Sequence, residues 1–167
     1  MIDLSFFLGL VYTFGYLGVF LASFIGTAAT FVPFPSFLLV IAAGSVLNPL
    51  LVGVVAGIGA ALGELVGYGV GIGVYYGAKR MSKKKLSKKE KGWMKLIKNL
   101  FDRKLGIVVI FVFAVTPLPD KIIGIFCGAI RYDVRKFVLA MIVGKVVLHI
   151  ALAYIGFYGL GFVEGFF

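Results

Sequence analysis

Four ionisable side chains lie within otherwise apolar sequence: Glu64, Asp120, Lys121 and Lys145. Their formal charges sum to zero, so acid–base pairs can form among them. A charge without a partner is costly in any apolar environment, and by at least about 2.5–3.5 kcal/mol in lipid. Two interpretations stay open: a structural ion pair that fixes helix packing, and a proton-titratable cluster that faces a substrate.

Two further polar side chains lie one helical turn from these charges. Tyr68 follows Glu64 by four residues and His149 follows Lys145 by four, so each shares a helix face with its charged neighbour. Metal-ligand spacing and a second His are both lacking, so we expect no metal and no cofactor. The sequence also has no paired nucleophile and base and no phosphate-binding loop, so we do not expect an enzyme.

A Pro-x-Pro motif occurs twice, at Pro33–Pro35 and at Pro117–Pro119. Proline removes a backbone donor and clashes with the preceding turn, so a helix is expected to break and the chain to reverse there. A strong N-cap residue follows each copy, Ser36 in the first and Asp120 in the second. Besides this capping role, the helix N-termini behind the prolines favour an anionic ligand such as a phosphate.

Composition indicates a membrane protein. The 167 residues are 61% hydrophobic with a mean hydropathy of +1.07, which is more apolar surface than a soluble domain of this size can bury. We therefore expect a single membrane domain over residues 1–167. Twelve of the 17 Lys and Arg residues lie between Lys79 and Lys104, and residues 1–78 contain none. The positive-inside rule places the segment 79–104 in the cytoplasm, as an amphipathic membrane-surface helix rather than a nucleic-acid site.

Segment lengths predict how the chain crosses the bilayer. The stretches 50–78 and 134–162 are each long enough for roughly 43 Å of helix, against a hydrocarbon core of about 30 Å. The apolar intervals beside the prolines, 36–48 and 105–116, give only roughly 18–20 Å of helix each and are too short to cross. We expect an all-α, inverted-topology repeat. Each repeat, at about 15–78 and about 104–162, combines a re-entrant helical hairpin with a transmembrane helix.

In this arrangement the two hairpin tips, each with its Pro-x-Pro, face each other at mid-membrane. Residues 4–14 are then expected to form an interfacial or packing helix. The alternative is a full first span over residues 4–29 with no re-entrant hairpin. A stripe of glycines at every fourth position would let another helix approach the backbone closely, and it consists of Gly59, Gly63, Gly67 and Gly71.

Two ordered blocks of sequence resemble a known family. The run from Gly59 to Gly71, GAALGELVGYGVG, resembles the G-A-x-x-G-[DE]-x-x-x-Y-x-x-G motif of the DedA (VTT-domain, SNARE-associated Golgi protein) superfamily. The segment 117–121, followed by Gly128, Phe137 and 144–145, is similar to its second block, and the short length resembles the small YqaA-like branch.

The sequence departs from the family pattern near both Pro-x-Pro copies. Many relatives carry a Glu shortly after the first copy, where this chain has Ser36 followed by Phe37 and Leu38, and an Arg before the second, where it has Thr116. The resemblance implies lipid translocation between leaflets, with polyprenyl-phosphate carriers and phospholipids as substrates and proton or sodium coupling in some members.

We therefore expect a flippase- or scramblase-like lipid translocase of the cell membrane. Its expected partners are lipids with anionic headgroups and not nucleic acid, and a homo-oligomer is compatible with the sequence. The alternatives are a proton-coupled secondary exporter of small solutes and a non-transporting membrane scaffold. The expected substrate- and ion-binding residues are Ser36, Glu64, Tyr68, Asp120, Lys121, Lys145 and His149.

Overall fold

The computed structural model describes residues 13–29, 36–81, 105–116 and 121–164, together with positions 9, 11, 99 and 101. All regular secondary structure in these residues is helical, which confirms the predicted all-α class. The helices are α1 (Tyr16–Ala28), α2 (Ser36–Val46), α3 (Pro49–Met81), α4 (Leu105–Val115), α5 (Lys121–Ala129) and α6 (Val134–Glu164).

Among the described residues, two helices are long and apolar enough to cross a membrane. The qualifying stretches are Pro49–Gly77 in α3, with a mean hydropathy of 2.0, and Val134–Gly159 in α6, with a mean hydropathy of 2.2. They agree within a few residues with the predicted spans 50–78 and 134–162. Only 33% of the most apolar window of α6 is buried against protein, so this helix presents a broad apolar surface of the kind that faces lipid.

Each long helix starts from a side-chain cap. The Asn48 side-chain oxygen accepts hydrogen bonds from the amides of Leu50 and Leu51, at 3.1 and 3.2 Å. One Asp133 carboxylate oxygen accepts from the amides of Arg135 and Lys136, at 2.8 and 3.0 Å. These bonds satisfy amides that have no partner within the helix and so define where α3 and α6 begin.

The other four helices have 9 to 13 residues, roughly 14–20 Å each, and cannot cross a bilayer. In the sequence, α1 and α2 flank the first Pro-x-Pro position, and α4 and α5 flank the second. We call α1 with α2, and α4 with α5, the two pairs of short helices. The predicted tips themselves lie outside the described residues, as do Asp120, the segment 82–98 and the Ser36 side chain. Most of residues 4–14 lies outside as well.

A break in the backbone precedes α1. Gly15 has a φ of 55°, a conformation that side chains disfavour, while its amide still donates to the carbonyl of Val11 at 2.8 Å. The helical conformation at positions 13 and 14 is therefore interrupted before Tyr16. The choice between an interfacial helix at residues 4–14 and a full span over residues 4–29 stays a prediction, because most of residues 4–14 lies outside the described residues.

The two long helices cross in opposite directions. A methyl group placed on Gly57 would lie 2.5 Å from the Cα atom of Val146, and one on Gly53 would meet Ile150. α3 and α6 are therefore antiparallel. α1 runs parallel to α3, because Gly59 lies against Phe20 and Gly63 against Phe24.

The short helices are exchanged between the two long ones. α1 packs on α3 and α4 packs on α6, so the first helix of each pair contacts the long helix that follows it in sequence. The second helix of each pair crosses over, since α2 packs mainly on α6 and α5 packs on α3. Each long helix is therefore packed against short helices from both halves of the chain.

The described basic side chains that are exposed lie at one end of the bundle, where α3 ends and α6 begins: Arg80, Arg131, Arg135 and Lys136. The Arg131 guanidinium lies over the ring of Tyr75, 5.6 Å from its centroid, and clamps the two helix ends together. The described residues at the opposite end, around Asn48 and Tyr158, include no Lys or Arg.

Candidate functional site

Three ionisable side chains are buried near the middle of the two long helices, and we call Glu64, Lys145 and His149 the polar core. Their exposed fractions are 1%, 4% and 1%. Along the helix axes, Glu64 lies roughly 22 Å from Pro49 and Lys145 lies roughly 17 Å from Val134. The polar core is therefore far from both ends of the bundle.

Two apolar clusters flank the polar core. The first includes Ala56 of α3 and Ala153 of α6, and the second includes Tyr68 of α3 and Met141 of α6. Glu64 lies between Ala56 and Tyr68 along one helix, and the two bases lie between Met141 and Ala153 along the other. Along each long helix, the ionisable groups thus lie between residues of the two apolar clusters.

Glu64 lies between the end of α1 and the start of α5. A methyl group on the preceding Gly63 would lie 2.7 Å from the Phe24 carbonyl oxygen and 2.8 Å from the Cβ atom of Thr27. One on Gly124 of α5 would lie 3.4 Å from a carboxylate oxygen of Glu64 itself. The missing side chains at these glycines let both short helices approach the acid.

Lys145 and His149 lie between the end of α4 and the start of α2. A methyl group on Gly144 would lie 2.5 Å from the Cβ atom of Ala114, at the end of α4. The His149 ring lies 6.5 Å, centroid to centroid, from the ring of Phe37, in the first turn of α2. Nδ1 of His149 donates to the carbonyl of Lys145 at 2.7 Å, since a carbonyl can only accept.

The polar core is therefore surrounded by four helix ends, which we call the inner ends. They are the C-terminal ends of α1 and α4 and the N-terminal ends of α2 and α5, and each adjoins a Pro-x-Pro position. Helix N-termini carry partial positive charge and C-termini partial negative charge. The inner ends thus place fixed dipoles around three buried titratable groups.

The predicted binding residue Lys121 joins the two Pro-x-Pro regions. Its ammonium donates at 2.9 Å to the carbonyl of Ala29, the C-cap residue of α1. A cation at a helix C-terminus is stabilised by the exposed carbonyls there. The residue that opens α5 is thereby bonded to the residue that closes α1, and its charge lies at the edge of the polar core.

Tyr68 lies one turn from Glu64, as its spacing predicts, but its hydroxyl is bonded to the backbone. It donates to the carbonyl of Tyr132, and its ring packs 5.2 Å from the ring of Phe137. The side chain is buried, at 7% exposed. Tyr68 therefore joins α3 to the start of α6 rather than lining the polar core directly.

The predicted glycine stripe contains three positions of close contact. A methyl group on Gly59, Gly63 or Gly71 would clash with a backbone carbonyl of α1 or α5. At Gly67 the nearest atoms would lie 3.8 Å away, which is ordinary contact. The close approach of α1 and α5 to α3 therefore depends on the first, second and last glycines of the stripe.

One buried polar residue was not singled out in the sequence. Ser23 of α1 is 1% exposed, and its hydroxyl has no hydrogen-bond partner in the part of the chain that the structure describes. A single serine in an apolar helix gives no periodic signal, so only its burial identifies it. Among the described residues, no three His, Cys, Asp or Glu side chains are grouped so that they could hold a metal ion.

The family comparison agrees with this architecture. The family model described as the VTT domain matches residues 34–158, a range that includes α2, α3, α4, α5 and the whole polar core. No curated protein and no solved structure matches the chain. The two apolar long helices and this match together indicate a membrane protein. Because the match extends over well more than half of its length, the chain belongs to the VTT-domain family, that is, to the DedA/VTT proteins.

Proposed function

We propose that this protein is a lipid translocase that moves lipids with anionic headgroups between the leaflets of the cell membrane. The observation that carries the proposal is the convergence of four inner ends on three buried titratable groups halfway along two apolar helices. Ionisable groups at that depth are costly and are typical of transport pathways. Helices that end at the same depth are typical of binding sites in transporters.

The proposed topology is an inverted repeat of two re-entrant hairpins and two spans. The opposite directions of α3 and α6 support it, because α1 runs parallel to α3 and Gly106 and Gly144 place α4 parallel to α6. The first arms of the two hairpins then run in opposite directions. The bond between Lys121 and Ala29 supports a meeting of the two tips.

We assign the basic end of the bundle, with the segment 79–104, to the cytoplasm. The exposed Arg80, Arg131, Arg135 and Lys136 support this orientation through the positive-inside rule. In this orientation α3 enters the membrane at Asn48 from outside and α6 enters at Asp133 from the cytoplasm.

The proposed chemistry follows from the charges of the polar core. Lys145 would offset the phosphate charge of a headgroup as it passes the middle of the membrane, and Glu64 would exchange a proton. Lys121 would link movement of one hairpin tip to the other. The apolar outer surface of α6 would let the acyl chains stay in lipid while the headgroup crosses.

The test is translocation by purified protein in liposomes that contain a fluorescent phospholipid or polyprenyl phosphate. A membrane-impermeant reductant then quenches only the outer-leaflet label. We expect wild-type protein to make the whole label accessible and Lys145→Met to be as slow as protein-free liposomes. Lys136→Gln removes the same charge at an exposed position and should be as fast as wild type.

Equal rates for wild-type and protein-free liposomes would overturn the proposal. Efflux of an encapsulated small solute without lipid movement would favour the exporter instead. If neither lipid nor solute moves but Lys145→Met unfolds at a lower temperature, the polar core has only a structural role.

A further inference from the structure

The two ends of α5 are packed against α3 to different degrees. At the last turn of α5, a methyl group on Gly128, or on Gly71 of α3, would clash with a backbone carbonyl of the other helix. At the first turn, a methyl group on Gly124 would have its nearest neighbours at 3.4–3.6 Å, and one on Gly67 of α3 at 3.8–4.0 Å. Those are ordinary van der Waals distances. α5 therefore lies tightly against α3 at its C-terminal end and loosely at its N-terminal end.

The turn after α5 fixes its tight end further. The amides of Arg131 and Tyr132 donate to carbonyls in the last turn of α5, at 3.0 and 2.9 Å, which closes the helix. The Tyr132 carbonyl accepts from the hydroxyl of Tyr68 on α3, and the Arg131 guanidinium lies over the ring of Tyr75 on α3. Hydrogen bonds and a cation–π contact thus add to the glycine packing at this end.

The loose end is attached in a different way. The Lys121 ammonium donates at 2.9 Å to the carbonyl of Ala29, the C-cap residue of α1. Ile123 packs in the apolar cluster that includes Tyr68. The outward side of this turn is open, because Ile122 is 64% exposed. Elements held by few contacts open most easily, so the first turn of α5 is the part of this helix that we expect to move.

The equivalent arm of the first half, α2, is filled where α5 is open. Ile41 of α2 and Ile125 of α5 each place a carbonyl against a glycine of the long helix on which they pack. By this match, Gly124 corresponds to Val40, the residue before Ile41. Val40 is fully buried in the apolar cluster that joins α2 to α6. A valine side chain thus fills the position in α2 that a glycine leaves open in α5.

The loosely packed turn covers the buried acid of the polar core. A methyl group on Gly124 would lie 3.4 Å from a carboxylate oxygen of Glu64, and that acid is 1% exposed. Movement of the first turn of α5 away from α3 would uncover the carboxylate and leave α3 in place. A hinge needs only a few residues to absorb such a movement, and the tight contacts of the last turn define where it lies.

We propose that the first turn of α5, residues 121–124, is a gate over Glu64 that the bond between Lys121 and Ala29 holds closed. The hinge is the last turn of the same helix. A cation at a helix C-terminus is stabilised by the carbonyls there, so the closed state is favoured until the ammonium leaves Ala29. The inference rests on the proposed transport function and describes the regulation of its site. In this role Lys121 is inhibitory, and its loss opens the polar core.

The experiment compares two cysteines one helical turn apart on the same face of α5. Native Cys127 is fully buried beside the hinge, and Ile123→Cys places a smaller side chain at a buried position of the gate. Full-length protein in detergent micelles is treated with N-ethylmaleimide, and mass spectrometry gives the labelling rate at each position. Added to Ile123→Cys, Lys121→Met should raise the rate at position 123 about tenfold, as for loss of one hydrogen bond to a charged group. Cys127 should stay unlabelled.

Two further variants serve as controls in the Ile123→Cys background. Lys121→Arg keeps a cationic donor, and Lys136→Met removes the same charge at an exposed position, so both should leave the rate at position 123 unchanged. An unchanged rate in Lys121→Met overturns the gate. Equally fast labelling at positions 123 and 127 overturns the hinge, because the whole of α5 then leaves α3.

A second variant keeps Lys121 and tests the gate even if Lys121→Met does not fold. Gly124→Ala would place a methyl group at ordinary contact distance from Glu64 and Tyr68, so it should hold the gate closed. We expect it to slow labelling at position 123 about threefold, as for one buried methyl group. Faster labelling would contradict the loose contact on which the gate depends.

Lipid movement in liposomes separates this inference from the proposed function. With native Ile123, Lys121→Met should move the fluorescent phospholipid faster than wild type, and slower movement would overturn an inhibitory role of Lys121. If wild-type liposomes move no lipid while Lys121→Met still speeds labelling at position 123, the transport function fails and the gate stands. If wild type transports lipid and Lys121→Met leaves the labelling unchanged, only the gate fails.

Discussion

Each half of the molecule contributes one long helix that starts at a side-chain cap, Asn48 in residues 16–81 and Asp133 in residues 105–164. Glu64 follows its cap at the same sequence distance as His149 follows the other cap. Both side chains are buried. The buried ionisable residue at this matching position is therefore an acid in one half and a base in the other.

The contacts of the crossed-over helices repeat in the same register. Gly71 of α3 meets Ile125 of α5, and Gly156 of α6 meets Ile41 of α2. Gly71 and Gly156 are also equally far along the sequence from their respective caps. In both halves, therefore, the second short helix contacts the long helix of the other half at a glycine in the matching position.

The first short helices depart from this register by one turn. Gly63 meets Phe24 of α1 and Gly144 meets Phe111 of α4, but Gly144 lies one helical turn closer to its cap than Gly63 does. The contacts of the second short helices thus match between the halves, whereas those of the first short helices differ by one helical turn. The shift gives the polar core two different sides, one facing α1 and α5 and the other facing α2 and α4.

The largest effects should come from breaking the repeated glycine contacts. We expect Gly71→Leu and Gly156→Leu each to destabilise the protein by about 3 kcal/mol or more, because a side chain would be forced between packed backbones. Thermal unfolding in detergent measures this loss. Gly73→Leu is the matched control, since a methyl group there would meet nothing within 4 Å. A large loss for only one of the two contact glycines would contradict their equivalence.

The next test asks whether the acid of one half and a base of the other act together. Glu64→Gln and Lys145→Gln should each lower stability, and the double variant should lose about 1–2 kcal/mol less than the sum of the single losses. The cause is that each single change leaves an opposite charge buried in excess. Reversible unfolding in mixed micelles gives the three values. Strict additivity would show that the two sides of the polar core are independent.

A smaller loss of stability is expected from a change at Tyr68. The residue at the same distance from the other cap is Ala153, which has no hydroxyl. Tyr68→Phe removes the hydroxyl that donates to the Tyr132 carbonyl and leaves that carbonyl without this donor. We expect a loss of about 1–2 kcal/mol in unfolding free energy. Tyr158→Phe, on an exposed ring, should change nothing measurable. A neutral Tyr68→Phe would mean that water replaces the hydroxyl.

The smallest effect concerns the two caps. The pKa of Asp133 is lowered, chiefly because its carboxylate accepts from the Lys136 amide and also from that of Arg135. A lowered pKa in the folded state adds stability that is complete above the unfolded value of about 3.9. That stability is lost as the pH falls through the lower folded-state pKa.

We therefore expect the unfolding temperature of wild type to fall more than that of Asp133→Asn between pH 5 and pH 3 (roughly the range of carboxylate titration). Asn48→Asp should create the same pH dependence at the other long helix. Parallel pH profiles for wild type and Asp133→Asn would contradict the role of the charge in this cap.

The long helices and their neighbours differ in how well the sequence predicts them. The lengths of the apolar stretches and the positions of the prolines predict α3, α6 and the four short helices to within a few residues. The predicted glycine stripe likewise agrees with the close contacts that Gly59, Gly63 and Gly71 make with neighbouring helices. Length, breaks and glycine spacing are local properties, so sequence alone reveals them.

The partners of the short helices are not predictable in the same way. α2 is apolar all round, so no periodic stripe in its sequence indicates that it packs on the long helix of the other half. Lys121 was expected to face a phosphate, and its bond to Ala29 depends on how two distant segments meet. The membership in the small YqaA-like branch and the roles of Ser36 and Asp120 stay predictions.

The crossing of α2 to α6 has a consequence for biosynthesis. α2 leaves the ribosome long before the helix that buries it, because α3, α4 and α5 are all synthesised in between. Until α6 has been inserted, α2 exposes the surface that later packs against Ala153 and Gly156. Membrane insertion of the first half therefore precedes its folding, and a translation product that stops before α6 should be a target for quality-control proteolysis.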